Sequence, residues 1–169
     1  VEGMVADDET GLLYVGGEEG GILEFSAEAG DTTGFRRIDM SGEENKDLRY
    51  DIEGLALYYL PGGEGYLIAS SQGNNRFAVF ERKAPNTYLG YFEVVDSIVD
   101  GVKETDGIEV INMSLGSDFP QGVFLCQDGF NDDEGTKKPQ NFKLVPWPYI
   151  ANSFDQSLAV DAQYRGVGK

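Results

Sequence analysis

A segment that opens with an acid and a glycine recurs at a nearly constant spacing along this chain, at positions 2, 53 and 106. The acids are Glu2, Glu53 and Asp106, and Asp51 stands two residues before the second of them. Carboxylate oxygens are the ligands that calcium prefers in proteins. Carboxylates that converge also repel one another unless a cation neutralises them. Each of these acids opens one of three copies of a repeated segment. They therefore predict a calcium site, provided that the fold brings the starts of the three copies together.

A second set of oxygen donors precedes or adjoins a glycine later in each copy: Glu18, Gln72 and Asp128. Because the chain has no histidine and one cysteine, zinc, copper and iron sites are not indicated. The alternative for Asp51 and Glu53 is a turn at the start of a strand, where their carboxylates accept hydrogen bonds from backbone amides.

A period of 51 and then 53 residues is typical of repeat architectures such as propellers. Each copy is rich in Tyr, Phe, Val, Ile and Leu between turns that carry Gly, Pro, Asn and Asp, which predicts short strands. A single helical turn is expected near 148–154, where Pro148 could begin it. The predicted strands are 2–6, 11–15, 21–25 and 35–40, then 54–60, 66–71, 76–82 and 88–95, and finally 107–113, 122–127, 141–147 and 158–164.

These strands predict an all-β protein, a β-propeller with three four-stranded blades at about 2–52, 53–105 and 106–169. Three blades do not close a ring, since propellers contain about four to eight. We therefore expect half of a six-bladed ring, completed by missing N-terminal blades or by a second copy of the chain. First strands line the channel of a propeller, so the acids at their starts would converge at one mouth of the ring.

The composition limits the partners of the protein. There are 30 Asp and Glu against 13 Lys and Arg, a formal net charge of −17, which repels nucleic acids and anionic membranes. No apolar run reaches the length of a membrane span, and the chain contains no signal peptide. The single Cys126 cannot form an internal disulfide. A general explanation of the acidity is a solvated surface that keeps the protein soluble.

Several runs of this chain, in collinear order and over nearly its whole length, resemble the C-terminal half of β-propeller phytases. That family has a six-bladed propeller with calcium ions at its mouth and hydrolyses phytate, myo-inositol hexakisphosphate. The matching runs begin at Val1, Asp51, Ala69, Thr105, Gln127 and Asn141, and read VEGMVADDETGLLYV, DIEGL, ASSQGN, TDGI, QDG and NFKLVPW.

The resemblance implies a calcium-dependent phosphoric monoester hydrolase of the 3-phytase type, secreted, which acts on phytate or other inositol phosphates with several calcium ions. It implies catalytic roles for Glu18, Glu53 and Asp106, which would position the metals or the attacking water. The metal ligands that it implies are Glu2, Glu18, Asp51, Glu53, Gln72, Asp100 and Asp106.

The chain departs from the family pattern at three sites that adjoin these residues. Gly16 and Gly17 replace an Ala-Glu pair, Arg76 stands where a small polar residue is usual, and Met4 stands where a cysteine or other small residue is common. Phosphate-binding Lys and Arg residues of the family come mostly from the N-terminal half. Two other functions therefore remain open: a non-catalytic, calcium-binding incomplete propeller that acts as an accessory or interaction module, and another calcium-dependent propeller hydrolase such as a lactonase.

Overall fold

The computed structural model describes residues 1–164, which form mainly antiparallel sheets. Two sheets contain four strands each, in the order of the chain, and so bear out the all-β prediction. The first comprises β1 (Met4–Asp7), β2 (Leu12–Gly17), β3 (Gly21–Ser26) and β4 (Phe35–Arg37). The second comprises β5 (Ile52–Tyr59), β6 (Gly65–Ser71), β7 (Arg76–Glu81) and β8 (Tyr88–Phe92).

The third sheet differs from the first two because it has three strands within the described residues. Along the chain come β9 (Ile108–Ile111), β10 (Val123–Asp128), the small hairpin β11 (Asp132–Asp133) and β12 (Thr136–Lys137), then β13 (Asn141–Pro146) and helix α1 (Trp147–Ala151). The sheet order is β13-β10-β9, with β13 at the edge. Helix α1 has five residues, and none of the helices in the described part of the chain is long and apolar enough to cross a membrane.

The prediction of a fourth strand at 158–164 is wrong, since this segment is irregular. It crosses to the second sheet, where the backbone NH of Ala159 donates to the Tyr66 hydroxyl at 2.7 Å and that of Asp161 donates to the Tyr58 hydroxyl at 3.0 Å. Trp147 Nε1 donates to the carbonyl of Ala159 at 3.1 Å. Side chains of another sheet thus satisfy backbone groups that a strand ladder would otherwise have to pair.

Two apolar clusters hold the three sheets together. Between the first and second sheets lie Tyr14, Ile22, Leu55, Leu67 and Phe80. Between the second sheet and the third lie Tyr58, Phe77, Val79, Phe124 and Trp147, with the Trp147 ring stacked 4.4 Å from that of Tyr58. The alternating side chains of the second sheet therefore pack on both of its faces, and this sheet fixes the positions of the other two.

Candidate functional site

The first strands of neighbouring sheets approach one another closely at the acid-glycine pairs. A Cβ atom placed on Gly3 would lie 1.9 Å from the backbone oxygen of Glu53, and one placed on Gly54 would lie 2.5 Å from that of Asp106. Only glycine allows so close an approach of two backbones. Each glycine therefore brings the acid before it next to the acid of the following sheet.

Glu53 lies at the centre of the acids that these contacts assemble. Burial raises the pKa of its carboxyl, and the charges of Glu2, Asp106, Asp51 and Glu18 raise it further. Within residues 1–164, no Lys or Arg forms an ion pair with any of these five acids. The five carboxylates therefore form a concentrated, uncompensated negative charge, which we call the acid cluster.

Gln72 joins the acid cluster through hydrogen bonds rather than charge. Its side-chain Nε2 donates to Asp106 Oδ1 at 2.7 Å, and its backbone NH donates to the carbonyl of Asp51 at 2.9 Å. The backbone NH of Asp106 in turn donates to Gln127 Oε1 at 2.9 Å. Gln127, to which the sequence analysis gave no role, is thus a support of the site.

Asp100 belongs to a different group of side chains, on the third sheet. It accepts a short hydrogen bond from Lys143 Nζ, and its Oδ2 accepts one from the backbone NH of Asp132 at 2.8 Å. The hydrogen bond from Lys143 is the main reason that the pKa of Asp100 is lowered. The structure therefore assigns a protein cation to Asp100, in contrast to the five acids of the cluster.

Asp128, which the sequence places only roughly level with Glu18 and Gln72, lies one position before their equivalent in the third sheet. Ile108 pairs with Cys126 in the third sheet as Leu55 pairs with Ala69 in the second. By this register, Asp128 corresponds to Ser71, and Gly129 corresponds to Gln72. Asp128 is fully buried, accepts hydrogen bonds from the backbone NH groups of Lys103 and Phe130 at 3.2 Å, and lies 3.4 Å from Lys143 Nζ.

Lys143 is the residue in this region whose role the sequence did not show. It stands in the NFK run, but only the fold places its amino group between Asp100 and Asp128, which lie 43 and 15 positions before it. The Oδ1 atom of the nearby Asn141 is buried without a hydrogen-bond partner in the described part of the chain. This region is thus an ionic network in which two buried oxygens, Asn141 Oδ1 and Asp128 Oδ2, accept no hydrogen bond from the described residues.

The acid cluster fits a hard divalent cation in its chemistry. Its donors are all oxygens, as calcium requires, and after burial the charges of the neighbouring acids also raise the pKa of Glu53, a repulsion that a cation would relieve. In residues 1–164, no three or more Asp, Glu or Cys side chains are already gathered into a metal-binding arrangement. Any ion would therefore have to draw these side chains closer together.

Comparisons with known proteins match nearly the whole chain. The family model described as Phytase matches residues 1–166. A protein named 3-phytase from Bacillus subtilis (strain 168) is 47% identical to this chain over 151 residues. The match covers 89% of this chain but 39% of the relative, so the chain spans less than half of the length of that protein.

Proposed function

This chain belongs to the phytase family, and we propose that it forms part of a calcium-dependent enzyme that releases phosphate from phytate or related inositol phosphates. The observation that carries the proposal is the acid cluster around Glu53, whose five carboxylates have no Lys or Arg partner in the described residues. A protein of net charge −17 would otherwise repel such a substrate.

The residues proposed to hold calcium are Glu2, Glu18, Asp51, Glu53, Gln72 and Asp106. Bound calcium would hold phosphate oxygens and make a water more acidic, so that phosphate could be cleaved from the inositol oxygen. Glu18, Glu53 and Asp106 would orient the ions and the water. Gln72 keeps the Asp106 carboxylate in place by its hydrogen bond. Asp100 is proposed as a further calcium ligand, and in this structure its carboxylate is paired with Lys143.

We also propose that the three sheets are half of a six-bladed propeller, with further blades beyond the third sheet. Gly3 and Gly54 each lie against the first strand of the next sheet, whereas a Cβ atom on Gly107 would meet nothing within 4 Å. On β13, Phe142 and Leu144 are 62% and 50% exposed. By register they correspond to the buried Phe77 and Val79 of β7, so another sheet would cover them in the complete ring.

The alternative function is a calcium-binding partial propeller without catalysis. It rests on the same acid cluster, because carboxylates without a Lys or Arg partner in residues 1–164 could hold calcium whether or not a phosphate ester is cleaved. In either case we propose an extracellular location, in keeping with the resemblance to secreted phytases, where calcium is plentiful.

The test is phosphate release from phytate by this chain with calcium and with EDTA, with the mass in solution measured by light scattering. Calcium-dependent release by a dimer, abolished by Glu53→Gln, would support a ring completed by two copies. The matched control is Glu28→Gln, an exposed glutamate in the loop after β3, which should leave release unchanged. Calcium binding by an inactive monomer would favour the alternative function, and a melting temperature that calcium does not raise would contradict both.

A further inference from the structure

An open groove of about 650 Å³ lies beside the acid cluster, between the second sheet and the segment that joins the first sheet to it. Its walls come from the loop after β4, the segment before β5 and the start of β7. Tyr50 and Ile52, which flank Asp51, line it, and so does Asn74, two residues after Gln72. The groove is therefore next to the proposed calcium ligands. Its volume is in the range of pockets that bind small molecules.

Three cationic side chains line this groove, in a chain whose net charge is −17. Lys46, Arg49 and Arg76 line it together with two carboxylates, Glu43 and Glu93. Arg76 is paired with Glu93 at 2.9 Å and lies 4.0 Å from Asp47, so Lys46 and Arg49 are the cations that remain for an external anion. Such a patch would attract an anion to a surface that elsewhere repels it.

The Arg49 guanidinium makes no hydrogen bond or ion pair with any residue in the 1–164 range, although its backbone is fixed. The Ser71 hydroxyl accepts from the NH of Arg49 at 2.8 Å and donates to its carbonyl at 2.7 Å. Lys46 Nζ has one distant contact, to the carbonyl of Glu43 at 3.4 Å. Both side chains thus keep donors that an external anion could use.

Arg76 is held more firmly than the other two cations. Its Nε donates to Glu93 Oε1 at 2.9 Å, its Nη1 donates to the carbonyl of Asp47 at 3.2 Å, and its guanidinium lies 3.9 Å from the centre of the Tyr91 ring. Its Nη2 has no partner among the described residues. This arrangement orients a planar guanidinium in advance, and guanidinium groups bind phosphate oxygens in pairs.

We propose that this groove is a binding site for the phosphate groups of an inositol polyphosphate, with Lys46, Arg49 and Arg76 as its ligands. The groove holds one side of the polyanion and so brings another phosphate to the acid cluster. The choice of an inositol phosphate rests on the proposed function. The site itself needs no calcium, because its cations belong to the protein.

The experiment is calorimetric titration of this chain with inositol hexakisphosphate and, separately, with inorganic phosphate, both in EDTA. Each lost charge-assisted hydrogen bond weakens binding by about tenfold or more. We expect Lys46→Gln and Arg49→Gln each to weaken hexakisphosphate binding by about that factor. Lys83→Gln removes the same charge from an exposed lysine outside the groove and should change the affinity less than about twofold. Melting temperatures equal to that of the wild type establish that the variants fold.

Absence of hexakisphosphate binding in EDTA, or equal losses in Lys46→Gln and Lys83→Gln, would overturn the proposal. Inorganic phosphate that binds as tightly as the hexakisphosphate would overturn a site for a polyphosphate. The result is separable from the phosphate-release assay. Binding in EDTA without calcium-dependent phosphate release would support the phosphate site in the groove and contradict the proposed enzyme. Phosphate release by a chain that does not bind hexakisphosphate in EDTA would support the enzyme and contradict the site.

Discussion

Arg82 and Asp7 form a fully buried ion pair that joins the first and second sheets, at the end of β1 opposite to the acid cluster. Arg82 Nε and Nη2 donate to the two Asp7 oxygens at 2.6 Å each, Nη2 also contacts Glu9 at 2.8 Å, and Nη1 donates to the carbonyl of Glu64 at 3.0 Å. Removing the guanidinium would leave a buried carboxylate without its cation.

We expect Arg82→Met to lower the free energy of unfolding by about 3–5 kcal/mol, since the buried charge of Asp7 is then uncompensated. For a chain of 169 residues this corresponds to a fall in melting temperature of about 6–20 °C. The adjacent Lys83 is a matched control. Its ion pair with Glu64 has side chains 61% and 55% exposed, so Lys83→Met should cost about 0–1 kcal/mol.

Urea unfolding, followed by the fluorescence of the single and buried Trp147, measures both values. The double variant Asp7→Asn with Arg82→Met tests the pair itself. Its loss should be smaller than the sum of the two single losses by more than about 1 kcal/mol, because the carboxylate and guanidinium interact directly. Equal effects of Arg82→Met and Lys83→Met, or additive single losses, would refute the reasoning.

Three further results are expected. Burial raises the pKa of Asp7, but hydrogen bonds and charge from Arg82 outweigh it and lower the pKa overall. The stability that Asp7 contributes is therefore complete above its ordinary pKa and is lost as the pH falls through the lowered value. In Asp7→Asn the urea midpoint should therefore change less with pH over that acidic range than in the wild type. Burial, followed by the charge of Asp128, raises the pKa of Cys126 to about 12, so a thiol reagent at pH 8 should react only after unfolding. Gly3→Ala should cost about 1–3 kcal/mol in urea unfolding because its Cβ would collide with a backbone oxygen, whereas Gly20→Ala, which meets nothing within 4 Å, should stay within about 1 kcal/mol of the wild type.

Much of the fold follows from local pattern. The strands of the second sheet match their predicted positions within about three residues, because their apolar residues stand between clear turn signals. The segment 158–164 also has an apolar strand-like composition, yet it forms no strand in the structure. The reason is tertiary: the Tyr58 and Tyr66 hydroxyls and the Trp147 indole satisfy its backbone groups. No pattern within the segment shows this.

In the candidate site, too, some features follow from the sequence pattern and others only from tertiary contacts. Regular spacing was enough to single out Glu2, Glu53 and Asp106, and the structure brings them together. Asp128 lies one position before the equivalent of Glu18 and Gln72. A shift of one position along a strand turns the side chain to the opposite face of the sheet. The calcium role of Asp100 stays a prediction, and its contact with Lys143, 43 positions later, follows only from the fold.

The sequence by itself determined the repeated strands, the acids at their starts and the glycines that follow, since these depend on local pattern and a constant period. Tertiary structure alone decided which charges are compensated. Asp7 is neutralised by Arg82, 75 positions away, while the acids around Glu53 have no cation among residues 1–164. Electrostatic energy depends on distance and burial in three dimensions, so the number of acids in the chain does not show where a cation would be bound.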